Sequence, residues 1–287
     1  MPFLREKNGR WSPEKIIAFA VAIVPALWLA GRVVADDLGP RPFTEATHFT
    51  GRWAVRLLLL SLAITPARWL FPFGKLILAR RTLGVAACCY AVLHFLLFIA
   101  EQKYNLLVVA TEIALRVYLL IGFVALIGLI ALAVTSTDSM VRRLGPRWNT
   151  LHRAAYVIGV LAIVHFMLQK KLDIYEPVLM AGFLLWLLGF RLWRRYGDRV
   201  GALPLATLAI TSAVLTAALE SLWYMAMTGV NPLRVLEANL MFDIAIRPMW
   251  WVLAAAAAVL AGYFVAQRIW PKPAPRVRTV RQPLEIA

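Results

Sequence analysis

Residues 149–166 read NTLHRAAYVIGVLAIVHF, an apolar run carrying His152 and His165, two of the four histidines in the chain. A histidine is costly on a lipid-facing helix, and an ionisable group inside a span marks a functional site by default. Thirteen residues of helix separate the two rings by ~20 Å along the axis. One apolar segment therefore presents imidazoles at two different depths.

The surrounding sequence has the same character. The chain has 287 residues, 61% of them hydrophobic and 16% charged, where a soluble domain carries about 25% charge. The apolar residues fall into eight blocks near the ~20-residue length that crosses a bilayer: 16–34, 53–71, 83–100, 113–134, 151–168, 177–193, 204–227 and 250–268. An all-α integral membrane protein with about eight transmembrane helices is expected. The first block follows a basic segment without a small-residue cleavage site, so it reads as an anchor. No stretch is left for a soluble nucleotide-binding domain, and no GxGxxG or phosphate-cradling loop is present.

The net charge of +16 is distributed by side of the membrane. Alternate connections hold Arg5, Lys7, Arg10 and Lys15, then Arg68, Lys75, Arg80 and Arg81, then Arg142, Arg143, Arg147 and Arg153, then Arg191, Arg194, Arg195 and Arg199. The basic tail ends on the same side, and the opposite side holds Asp36, Asp37, Glu101, Asp173 and Glu176. This is the positive-inside pattern, and it puts both termini in the cytoplasm of a bacterial inner membrane. Anionic lipid head groups account for the excess without nucleic acid. Cys88 and Cys89 are adjacent on one helix, cannot bridge each other and read as packing residues.

The third and fifth spans both enter from the cytoplasmic side, so they run parallel. His94, in the outer half of the third, and His165, near the outer end of the fifth, reach similar depth. Two imidazoles at one depth on neighbouring helices suit a haem iron in a bundle core. An interhelical hydrogen bond is one alternative. Zinc is another, disfavoured because Cys and carboxylate partners are missing nearby. No Cys-x-x-Cys-His occurs, so a haem would be b-type. His48, in the stretch ADDLGPRPFTEATHFTG at 35–51, reads as an interfacial loop histidine or a quinone or partner contact. Arg56 and Arg116 read as snorkelling side chains or haem-propionate partners.

Three stretches, TGRWAVRLLLLSLAITPARW, ARRTLGVAACCYAVLHFLLF and LAVTSTDSMVRRLGPRWNTLHRAAYVIGVLAIVHF, resemble the ferric-reductase-like transmembrane family over about 49–193. Within it they resemble the haem-binding membrane subunits of bacterial methionine-sulfoxide reductase systems. The resemblance implies electron flow from the quinol pool, or from a flavin reductase, through one or two b haems to a periplasmic molybdopterin enzyme that repairs oxidised methionines. FMN is associated with the family. Carried over by position, the haem histidines fall on His94, His165 and His152, the last serving a second, inner haem. Where the wider family has the histidine opposite it, fourteen residues before His94, this chain has Arg80, beside Arg81.

The resemblance divides the chain into a six-helix haem bundle at 1–195, two additional helices at 196–270, and a disordered cytoplasmic tail at 271–287. Glu220 is an acid inside the seventh span, and NPLRVLEANLMFDIAIRP after it is an amphipathic outer segment. Two other functions remain in view: a stand-alone ferric or oxygen reductase, and a transporter using the histidines as an ion path.

Overall fold

The computed structural model describes residues 10–197, 201–242 and 245–270. Among them the chain is all-α, and eight helices are long and apolar enough to cross a membrane. The protein is a multi-pass membrane protein. The tail expected to be disordered lies outside the described residues.

Two long helices, α2 (Pro42–Leu70) and α3 (Ile77–Glu101), form an antiparallel pair closed by a tight turn at Gly74–Leu76, and α1 (Pro13–Val34) lies along α3. The short α4 (Leu106–Leu115) leads into α5 (Val117–Val134). Two further short helices, α6 (Asp138–Leu144) and α7 (Pro146–His152), then turn the chain into α8 (Ala154–Lys170). Helix α5 packs against both α8 and α3, and α9 (Tyr175–Tyr196) closes the bundle against α2 and α8. On the far side of α9 sit α10 (Ala202–Thr228), the short α11 (Pro232–Asn239) and α12 (Pro248–Ile269). The close approach there depends on Gly182 of α9, where a Cβ would collide with Thr216 and Val252. Small residues at such crossings are the usual device of membrane helices.

Each expected span has a helix over it, with three corrections. The outer loop expected at 35–51 is helical from Pro42 onward. Proline suits the first helical position because its missing N–H needs no partner there, and Glu45 in the first turn complements the helix dipole. Hydropathy misses this turn because its polar residues face inward: Thr47 and Thr50 are buried, and the Thr50 hydroxyl donates to the Ala46 and Thr47 carbonyls. The span expected at 113–134 is interrupted at Arg116, which adopts an extended conformation between α4 and α5. The inner loop expected at 135–153 contains α6 and α7.

Several polar groups inside the bundle are matched across helices. Pro66, within α2, cannot donate the helical bond that the Leu62 carbonyl would otherwise accept. Arg191 of α9 supplies it, while also donating to Tyr156 Oη at 2.9 Å and the Leu187 carbonyl at 2.8 Å. Beside Pro25 of α1, the Tyr90 hydroxyl donates to the Ala22 carbonyl at 2.8 Å and ties α3 to α1.

Glu220, 2% exposed, faces the bundle and is not alone: Arg247 reaches it at 3.2 Å and the Asn239 amide at 3.0 Å. Trp250 in turn donates to the Asn239 carbonyl at 2.7 Å, so the network pins α11 between α10 and α12. Removing one partner of a buried ion pair leaves an uncompensated charge. Arg247→Ala is expected to lower stability by about 3 kcal/mol in detergent unfolding. Arg32→Ala, whose pair with Asp37 is exposed, is expected to cost less than about 1 kcal/mol. Equal effects would contradict the assignment of Glu220–Arg247 as the internal pair.

Candidate functional site

The mouth of the bundle is framed by α2, α3, α5 and α8. His94 projects from α3 toward α2, and its Nδ1–H donates to the Thr47 carbonyl at 2.8 Å. His165 projects from α8 toward α5, and its Nδ1–H donates to the Tyr118 carbonyl at 2.7 Å. A carbonyl only accepts, so both rings carry the proton on Nδ1. No hydrogen bond reaches either Nε2 among the described residues. A backbone tether on one ring nitrogen that frees the other is the arrangement of metal-ligating histidines.

The two ring centres lie 6.2 Å apart with the planes at 81°. Two metal–imidazole bonds of about 2 Å each, with the ring nitrogen about 1 Å from its ring centre, require roughly 6 Å. The separation of the two rings is therefore close to what two imidazoles holding one metal would need. Among the described residues no cluster of three or more His, Cys, Asp or Glu could hold a bare ion. A metal carried in a macrocycle fits this donor set, and a protein-ligated zinc does not.

Both histidines line one cavity of ≈ 350 Å³. Its floor is apolar, with Leu58, Leu126 and Leu129, and its mouth is polar. There the Gln169 amide donates to His48 Nε2 at 3.0 Å, bridging α8 to α2 one turn above His165. His48 is thus a cavity residue on a helix and not a loop residue. Arg52, Arg116 and Lys170 also line the mouth. Arg116 pairs with Glu112 at 2.6 Å and Lys170 with Asp173 at 3.1 Å. Arg56 takes Glu176 at 2.6 Å, leaving Arg52 at 4.0 Å from that carboxylate.

The remaining expected site residues lie at the other end of the bundle. His152 stacks on Trp148 with ring centres 3.9 Å apart. Its Nδ1 is 3.1 Å from the Trp148 carbonyl and its Nε2 is 3.3 Å from Ser136 Oγ. Arg80 is half-buried near Tyr156, Arg191 and Arg68, and Arg81 pairs with Asp138. None of the three lines the cavity.

Two glycines escaped the sequence reading. A Cβ at Gly51 would lie 2.9 Å from His94 Nδ1, and one at Gly122 would lie 2.7 Å from His165 Nδ1. Each glycine follows the accepting carbonyl by four residues on the same helix: Thr47 and Gly51 on α2, Tyr118 and Gly122 on α5. The carbonyl and the gap one turn later form a single seat for an imidazole. Helix propensity alone favours Ala over Gly by about 1 kcal/mol. Gly122→Ala is therefore expected to retain or raise the unfolding temperature while displacing His165 and lowering haem retained per chain, with Gly51→Ala milder. An unchanged haem content and spectrum in both variants would contradict the seat.

The family described as Ferric reductase like transmembrane component matches residues 50–169, which include His94, His165 and both glycines. A protein-methionine-sulfoxide reductase heme-binding subunit MsrQ of Rhodospirillum rubrum is 41% identical over 194 residues, covering 66% of this chain and 89% of the relative. The subunit of the same name from Xanthomonas campestris pv. campestris is 43% identical over 173 residues, 60% of this chain and 79% of the relative. That from Xanthomonas axonopodis pv. citri is 40% identical over 192 residues, 64% of this chain and 88% of the relative. No solved structure matches the chain. With its paired histidines inside the matched region and most of each relative's length covered, the chain belongs to the MsrQ family of ferric-reductase-like membrane proteins.

Proposed function

We propose that this chain is the haem-binding membrane subunit of a protein-methionine-sulfoxide reductase system, passing electrons across the bacterial inner membrane to a periplasmic molybdopterin reductase. The observation that carries the reading is the His94–His165 pair, tethered through Nδ1, free at Nε2 and 6.2 Å apart over one cavity. Haem b bound there supplies a one-electron carrier. The Thr47 and Tyr118 carbonyls fix the tautomer and aim of its ligands, and the leucine floor excludes water. Arg52, Arg116 and Lys170 bring positive charge to the mouth, where propionates would lie.

The positive-inside pattern supports cytoplasmic termini and a cavity mouth on the periplasmic side. Quinol, or a flavin reductase with FMN, is the electron source in this reading, since the sequence has no nucleotide motif. A second haem on His152, with Arg80 and Arg81 at the same end of the bundle, would require the 3.3 Å contact between Ser136 and His152 to give way. The haem bundle is assigned to 1–195 and the added helices to 196–270.

The test is a reduced-minus-oxidised spectrum with haem quantified per chain. His94→Ala and His165→Ala are expected to lose most low-spin b-haem absorption, and His152→Ala to keep it. Haem reduced in the full chain is expected to reoxidise when the periplasmic reductase and methionine sulfoxide are added together. Haem that stays reduced then, yet reoxidises quickly with ferric chelates or oxygen, would support a stand-alone reductase instead.

A further inference from the structure

The end of the bundle that carries the cavity mouth also carries exposed methionines. Met225, Met227 and Met241 are 42%, 46% and 61% exposed, whereas Met167 and Met180 are 3% and 8% exposed. Helix α10 has 27 residues and is ~40 Å long, beyond the ~30 Å hydrocarbon core. Met225 and Met227 fall in its last four residues and so reach the interface. Met241 follows α11 in the connection to α12.

Hydrogen bonds fix where this surface lies relative to the site. Just before Met225, Trp223 Nε1 donates to the Lys171 carbonyl at 2.7 Å and the Tyr224 hydroxyl to the Leu172 carbonyl at 3.0 Å. Lys171 is the residue after Lys170, which lines the mouth. Across the same end, the Tyr175 hydroxyl donates to the Ile246 carbonyl at 3.0 Å. Met225 and Met227 therefore stand within a turn of the clamp that holds the mouth-forming end of α8.

We propose that Met225, Met227 and Met241 are oxidation sites of this chain and are restored by the reductase system the chain serves. The inference rests on the function proposed above. Exposed thioethers are the ones that oxidants reach, and oxidation turns a flexible apolar side chain polar. Hypochlorous acid transfers its oxygen to sulfur, which gives up two electrons and leaves chloride and a proton. Repair adds two electrons and two protons, the oxygen departs as water, and the sulfur regains its lone pair. A sulfoxide at Met225 puts a dipole within a turn of Trp223 and Tyr224. Repair there preserves the contacts that tie α10 to the end of α8.

The experiment uses right-side-out membrane vesicles holding the full chain with its periplasmic reductase, treated with hypochlorous acid and quenched. Peptide mass spectrometry is expected to show a gain of about 16 Da at Met225, Met227 and Met241 and none at Met167 or Met180. A water-soluble quinol is then added, together with a hypochlorite-oxidised soluble protein as an internal standard. Loss of the mass gain at the three sites, but not in vesicles bearing His165→Ala, is the expected result. Repair of the standard while the three sites stay oxidised would overturn this inference and leave the proposed function standing. Failure to repair either would sink both. Equal oxidation of buried and exposed methionines would overturn the siting.

Discussion

The seat of each imidazole is the constraint on which the rest of the bundle turns. A histidine ring among apolar helices must satisfy one nitrogen without sacrificing the other, and a backbone carbonyl is the acceptor least able to move. Thr47 and Tyr118 provide it from helices neighbouring those that carry the rings. Because each bond crosses a helix boundary, the register of α2 against α3, and of α5 against α8, is set at the site itself. A slip of one residue in either pair would put a side chain where Gly51 or Gly122 now leaves space.

The same economy governs the other buried polar groups. Leaving a carbonyl unpaired in an apolar medium costs about 1–3 kcal/mol, so the gap opened by Pro66 is closed by a guanidinium from α9. The result is a strut from α9 to the middle of α2, below the cavity. Glu220 follows the same logic in the added helices, where its charge is compensated by Arg247 and its second oxygen by Asn239. These polar contacts join elements that hydrophobic packing alone would leave free to slide.

What the sequence revealed follows from what depends on position along one helix. Depth does, so His94 and His165 could be paired from span direction and residue counting. Span number does too, because it needs only apolar length. The roles of Gly51 and Gly122 depend on which side chain a neighbouring helix aims at them, and nothing local records that. Gly122 sits in an uninterrupted apolar run and carries no signal. The spacing from Thr47 to Gly51 was present in the quoted motif but means nothing until a ring is laid across it. His48 was misread for a related reason: polar residues lining an internal cavity score like a loop. The partners of Glu220 leave no mark in its own stretch because Asn239 and Arg247 lie beyond its span.

The polarity of the cavity would set the direction of the haem proposed above. Along α2 its lining runs from Thr44, His48 and Arg52 down to Val55 and Leu58, and along α5 from Tyr118 down to Leu126 and Leu129. Two carboxylates at the leucine end would be desolvated without partners, at several kcal/mol each. At the mouth they would meet Arg52, whose 4.0 Å contact with Glu176 is the loosest ion pair in that group. Arg56 already neutralises Glu176, so Arg52 can turn to a new anion without leaving a carboxylate bare. The Arg52–Arg56–Glu176 triplet is thus built with one cation in excess, and the excess faces the cavity.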